Sequence, residues 1–170
     1  MRTEIPAGWA GLMLAVAISG CGGETEKRPD TAERGRADLA RIDACSLLQA
    51  SEIREATGGD PGVGARPDVP EGSPPMCHWA TAQLLVTQAG WKTYEEFDAA
   101  NRRTLEAEYD AADYQRLDGP GRFAVLLTGA GMVQAVGERH MVQVAAQPAE
   151  GRDTVEAVTR LAALVLERLE

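Results

Sequence analysis

Arg122-Phe123-Ala124-Val125-Leu126-Leu127-Thr128, Met132-Val133-Gln134-Ala135-Val136 and His140-Met141-Val142-Gln143-Val144-Ala145-Ala146 follow one another with only Gly129-Ala130-Gly131 and Gly137-Glu138-Arg139 between them. Short runs rich in branched residues, separated by glycine-bearing turns, are the pattern of consecutive antiparallel strands. A fourth run, Tyr114 to Leu117, precedes them across Gly119-Pro120-Gly121. The stretch therefore predicts a meandering antiparallel sheet.

Working outward, the last segment, Thr154 to Leu169, reads as a helix. Val158, Leu161, Ala162, Val165 and Leu169 form one apolar face, and Asp153 with Glu156 would close a capping box at its start. Thr93 to Tyr109 reads as a second helix, with Tyr94, Phe97, Asn101, Leu105 and Tyr109 along one face. Asn101 on that stripe needs a polar partner or exposure. Upstream, Cys77 to Thr81 and Gln83 to Gln88 read as strands joined by a turn near Ala82, with Trp79 on the face of Cys77. A first helix is expected from Ser46 to Ala56, boxed by Ser46 and Gln49 and stopped by Gly58-Gly59. Between these parts, Gly58 to Pro75 is longer than most loops of a compact domain and reads as a structural segment more readily than a binding lid. The order α-β-β-α-β-β-β-β-α predicts an α+β domain over 43–170, a curved antiparallel sheet packed by helices.

The chain begins differently. Gly8 to Ile18 is apolar but too short to span a bilayer comfortably, and it runs into Ile18-Ser19-Gly20-Cys21. A branched apolar residue, two small residues and a cysteine resemble the signal of bacterial lipoproteins. In that class the chain is cut before the cysteine, here Cys21, whose thiol carries a diacylglyceryl group. Two or three acyl chains anchor stably where one does not. The expectation is a signal peptide over 1–20 and a membrane partner reached through acylated Cys21, on the extracytoplasmic face of the cell membrane. Residues 21–42, charged and without aromatics, read as a disordered tether that can turn helical near Ala37 to Ile42.

The formal net charge is −9 and Lys27 and Lys92 are the only lysines, which argues against a nucleic-acid partner. Hydrophobic residues make up 44% of the chain, enough for a core. With Cys21 assigned to lipid, Cys45 and Cys77 remain, and two thiols in an exported domain are read as one disulfide.

Asp43-Ala44-Cys45-Ser46-Leu47-Leu48, the Glu52-Ile53 helix, the Gly-rich break and Cys77-His78-Trp79 resemble an uncharacterised family of actinobacterial secreted lipoproteins. That family opens on D-P-C-x-L-L and carries a second cysteine in a C-x-W context. Gly119-Pro120-Gly121-Arg122-Phe123-Ala124 is similar to the family's G-x-G-D-x-A turn, and the likeness covers Asp43 to Glu170. Ala44 stands where the family has Pro, and Arg122 where it has Asp. The resemblance implies a disulfide at Cys45 and Cys77 and a PsbP-like sandwich of sheet and helices, and it implies no activity.

No catalytic signature follows from the residues. His78, His140, Cys45 and Cys77 match no zinc spacing. Glu95, Glu96, Glu106, Glu108, Asp110 and Asp113 read as a solvated acidic face rather than paired acid and base. The glycine pairs lack the residues of a phosphate loop, so no cofactor and no metal are expected. Trp79, Trp91, Tyr94, Phe97 and Asn101 are the candidate lining of a groove between helix and sheet. The expected role is binding, to an envelope protein or a small apolar ligand. The alternative is an envelope hydrolase using His140 or a carboxylate pair.

Overall fold

The computed structural model describes residues 38–105 and 114–170. The expected signal peptide, Cys21, most of the expected tether and the expected end of the second helix through Tyr109 lie outside the described residues. Three helices, α1 (Ala50–Thr57), α2 (Tyr94–Leu105) and α3 (Thr154–Leu169), accompany six strands. The strands are β1 (Met76–His78), β2 (Ala82–Gln88), β3 (Tyr114–Leu117), β4 (Phe123–Leu127), β5 (Met132–Val136) and β6 (His140–Ala146). They form one open antiparallel sheet in the order β1-β2-β6-β5-β4-β3. The protein is α+β, as the pattern of runs and turns predicts.

The meander β3-β4-β5-β6 comes directly from the glycine-separated runs. Gly121, at φ +72°, shows why the turn before β4 requires its residue: a Cβ there would sit 2.4 Å from the Val136 carbonyl oxygen. Strand β6 then pairs along its whole length with β2, from His140 opposite Gln88 to Ala146 opposite Ala82. Because β2 and β3 run parallel and lie on opposite sides of β6, β5 and β4, the chain between them must cross a face of the sheet. Helix α2 lies in that crossing.

Alternation along the strands sends residues to two faces. Ala82, Leu84, Val86, Ala124, Leu126, Val133, Ala135, Val142 and Val144 join Val158, Leu161, Ala162 and Val165 of α3 and Ile53 and Ala56 of α1. Phe123, Val125, Val136 and Met141 join Phe97 of α2 on the other face. Covered on both sides, β4 is buried at every position. Burying each large side chain of α3 contributes roughly 1.5–3 kcal/mol before the entropy of ordering it.

Three local features differ from the sequence pattern. The first helix starts at Ala50, not Ser46: Gln49 and Glu52 form the reciprocal box, while residues 44–46 make a single 3₁₀ turn capped by Asp43. The Ser46 hydroxyl donates back to the Asp43 carbonyl instead of capping the helix. Strand β1 ends at His78 rather than Thr81. The reason is that Trp79 N–H turns to the Ala82 carbonyl and Ala80 N–H to the Pro61 carbonyl, both at 2.8 Å. At α3, Asp153 accepts from Val155 and Glu156 N–H, but the Glu156 carboxylate does not close the box and lines a surface cleft. Leu39 and Ile42, in the stretch expected to turn helical at the end of the tether, pack against the core.

Cys45 and Cys77 are joined, with Cα atoms 5.0 Å apart. The long loop is pinned over this bridge. Ala65 and His78 exchange two backbone hydrogen bonds of 2.9 Å. Gly64 lies so close that a Cβ would meet Trp79 Nε1 at 2.5 Å and Cys77 Sγ at 2.9 Å. Helices α1 and α3 are tied together by Arg168 to Glu52 and by Arg160 to Glu55, the latter at 2.7 Å. Among the described residues, no helix is long and apolar enough to cross a membrane.

Candidate functional site

The residues expected to line a groove divide between the two faces. Trp79 is buried with the aliphatic cluster beside the disulfide loop, on the α1 and α3 side. Trp91, Tyr94 and Phe97 come together on the other side with Phe123. Their rings meet edge on or tilted, Trp91 to Phe97 at 5.2 Å and Phe97 to Phe123 at 5.4 Å between centroids. Guanidinium groups close the margin: Arg116 stacks over Tyr94 at 4.1 Å and Arg102 over Tyr114 at 4.9 Å. Asn101 finds its partner in the sheet, donating to Gln134 Oε1 at 2.7 Å.

Asp98 ties this margin together, accepting from Arg102 Nε at 2.8 Å and Tyr94 Oη at 3.3 Å. Burial works against its charge, but these donors, Arg102 first, hold its carboxyl below the ordinary range. Burial, then the same carboxylate beside it, pushes the Tyr114 phenol far above the usual tyrosine range. The Tyr114 hydroxyl is itself buried without a well-formed hydrogen bond. This region is packing between helix and sheet, sealed at its rim by cations on aromatic faces.

His140 opens β6 in phase with Val142 and Val144. It borders a cavity of about 250 Å³ lined also by Asp38, Leu39, Gln88, Ala89, Glu138 and Arg139. Its Nδ1 is buried without a hydrogen bond and stands 4.0 Å from Glu170 Oε1. Burial, then the neighbouring Arg139, lowers its pKa. A nucleophile would have to reach this imidazole, and the lining residues include no hydroxyl or thiol. Cys45 and Cys77 are consumed in the disulfide, and His78 points to the opposite face from Cys77. Among the described residues no three His, Cys, Asp or Glu gather to hold a metal ion.

An open concavity lies elsewhere, where the Gly119-Pro120-Gly121-Arg122 turn and the Gly137-Glu138 turn approach the outer flank of α3. This cleft is about 790 Å³. Pro120, Ala163 and Leu166 supply its apolar surface, and Glu138, Glu156, Glu167, Arg122 and Arg160 its rim. Both turns must come close to the helix, since a Cβ on Gly121 would meet Leu166 Cδ1 at 2.9 Å and one on Gly137 would meet Glu170 Oε1 at 2.5 Å. Glu170 and Arg139 lock this end: Arg139 N–H donates to Glu170 Oε1 at 3.2 Å, and its guanidinium donates to the Leu169 carbonyl at 2.7 Å. A cation on the last carbonyls of a helix satisfies groups the helix leaves open. Thr159 lines the cleft, and its hydroxyl is buried beneath it without a hydrogen-bond partner.

Sequence pattern alone did not single out these residues as a site. Glu156, Thr159, Ala163 and Glu167 recur at helical spacing on the polar side of an amphipathic segment, which reads as a solvated flank. Only the return of two glycine turns to that flank makes it concave. No family model, curated protein or solved structure matches the chain.

Proposed function

We propose that the protein is a lipid-anchored binding module of the bacterial cell envelope, held by acylated Cys21 and working through the cleft beside α3. The cleft carries the binding part of this proposal: an open, apolar-floored concavity with charged edges suits a segment of another protein better than an enclosed small ligand. Export is supported by the Cys45–Cys77 bridge, since such bonds persist in oxidising compartments. Anchoring rests on Ile18-Ser19-Gly20-Cys21. The proposed role is binding and needs no catalytic step; the cavity beside His140 carries the Asp38 and Glu138 carboxylates but no hydroxyl or thiol.

The test of anchoring is metabolic labelling with a radioactive or clickable fatty acid in the bacterial host, followed by detergent phase separation. The full chain takes up label and partitions with the detergent; Cys21→Ala takes up none and is released. A Cys21→Ala protein that still carries label, or a full chain that never does, contradicts the anchor.

A further inference from the structure

We propose that the cleft takes an extended segment of a partner protein, apolar in its middle and carrying two cationic side chains about five residues apart. This inference rests on the cleft being the binding site and adds the chemistry of what it binds.

The charge of the rim decides the sign of the partner. Two guanidinium groups border the cleft, and both are already engaged within the domain. Arg122 donates to the Trp91 and Lys92 carbonyl oxygens and stands 3.8 Å from Glu138. Arg160 stands 2.7 Å from Glu55. The exposed Glu156 and Glu167 carboxylates, by contrast, make no hydrogen bond or ion pair within the domain among the described residues, Glu167 feeling only the charge of the adjacent Arg168, and Glu138 has only that long contact. The unpaired charge of the cleft is therefore negative. An anionic segment would meet repulsion there, and a cationic one would find carboxylates free to pair.

Spacing decides the shape. Glu156 and Glu167 lie about three turns apart on one side of α3, or about 16 Å at ~1.5 Å per residue. An extended chain covers that distance in about five residues at ~3.3 Å each. Between the two carboxylates lie Ala163, small enough to leave the floor low, and Leu166, with Pro120 opposite. Thr159 lies in the same stretch with its methyl group toward the Gly119 turn. An apolar side chain over the floor and cations at both ends complete the complementarity.

The test uses the full chain in detergent micelles and fluorescent hexapeptides, Arg-Leu-Ala-Val-Ala-Arg and the same sequence with Glu or Gln at both ends. The Arg peptide binds at least tenfold more tightly than the other two. The E156Q/E167Q variant loses at least tenfold of that affinity, whereas E95Q/E96Q, which removes two exposed carboxylates from α2, leaves it unchanged. Equal loss from both variants would show diffuse attraction to an acidic protein and overturn the proposal, as would tighter binding of the Glu or Gln peptide. A concentration-dependent dimer broken by Ala163→Arg would overturn it in favour of a second copy. If none of the peptides binds while a photocrosslinker at Ala163 forms adducts in cells, the cationic chemistry is wrong and the binding site survives. Failure of both removes the binding site as well.

Discussion

The two faces of the sheet are closed by different means. On the α2 face, four aromatic rings interlock and arginines stack over the exposed edges, so that helix, sheet and rim form one packed unit. On the other face, α1 and α3 bury aliphatic side chains and are tied by ion pairs, and a disulfide joins the turn before α1 to β1, yet the outer flank of α3 is left standing beside two turns with space between. The aromatic face contains more of the residue types that commonly recognise partners. Its rings, however, are spent on each other. Aromatic enrichment marks a binding surface only where the rings are not already packed.

The largest test of this contrast is Phe97→Ala. Phe97 is fully buried among the other rings, and its loss costs about 3–5 kcal/mol if the aromatic face is core. Chemical denaturation reads that value; a change below about 1 kcal/mol, with the fold intact, would mean that the ring lines a ligand space instead. On the aliphatic face, Cys45→Ser with Cys77→Ser removes a crosslink spanning 32 residues and costs about 3 to 4 kcal/mol by loop-closure entropy. It also frees the loop carrying Gly64, which protease nicking between residues 58 and 75 would detect.

Gly121→Ala is smaller and more local. A left-handed backbone and a 2.4 Å approach to the Val136 carbonyl predict a loss on the order of 2 kcal/mol, with peptide affinity at the cleft falling as the turn moves. The smallest effect concerns pH. His140 is buried and its folded pKa lies below the ordinary value near 6.5. The unfolded chain therefore binds the proton more readily. Stability is fully present above pH ~6.5 and is lost as pH falls from there through the folded pKa. His140→Gln flattens that slope, measured as melting temperature between pH 7 and pH 5; an unchanged slope would place the dependence on other groups.

Much of this architecture is readable in the residues, and the reasons are local. The meander follows from glycines spaced between β-prone runs, and the closing helix from an apolar stripe behind Asp153. The disulfide follows from counting cysteines. What escapes the pattern depends on tertiary choices. Gln49 displaced Ser46 as the cap because the Asp43 carbonyl claimed the Ser46 hydroxyl. Trp79 left the strand because backbone groups of the long loop and of Ala82 claimed its turn. Trp91, Tyr94 and Phe97 were legible as neighbours, but whether neighbours enclose a space or fill it depends on the Phe123 ring arriving from β4. The α3 cleft was hidden for the converse reason, since its polar flank carries no hydrophobic signal.

The most direct measurement is site-specific photocrosslinking in intact cells, with benzoylphenylalanine placed at Ala163 on α3 or at Ala99, exposed on α2. Adducts form from Ala163 and not from Ala99 if the cleft is where the domain meets its partner. Adducts from Ala99 alone would contradict that assignment and return the binding surface to the aromatic face.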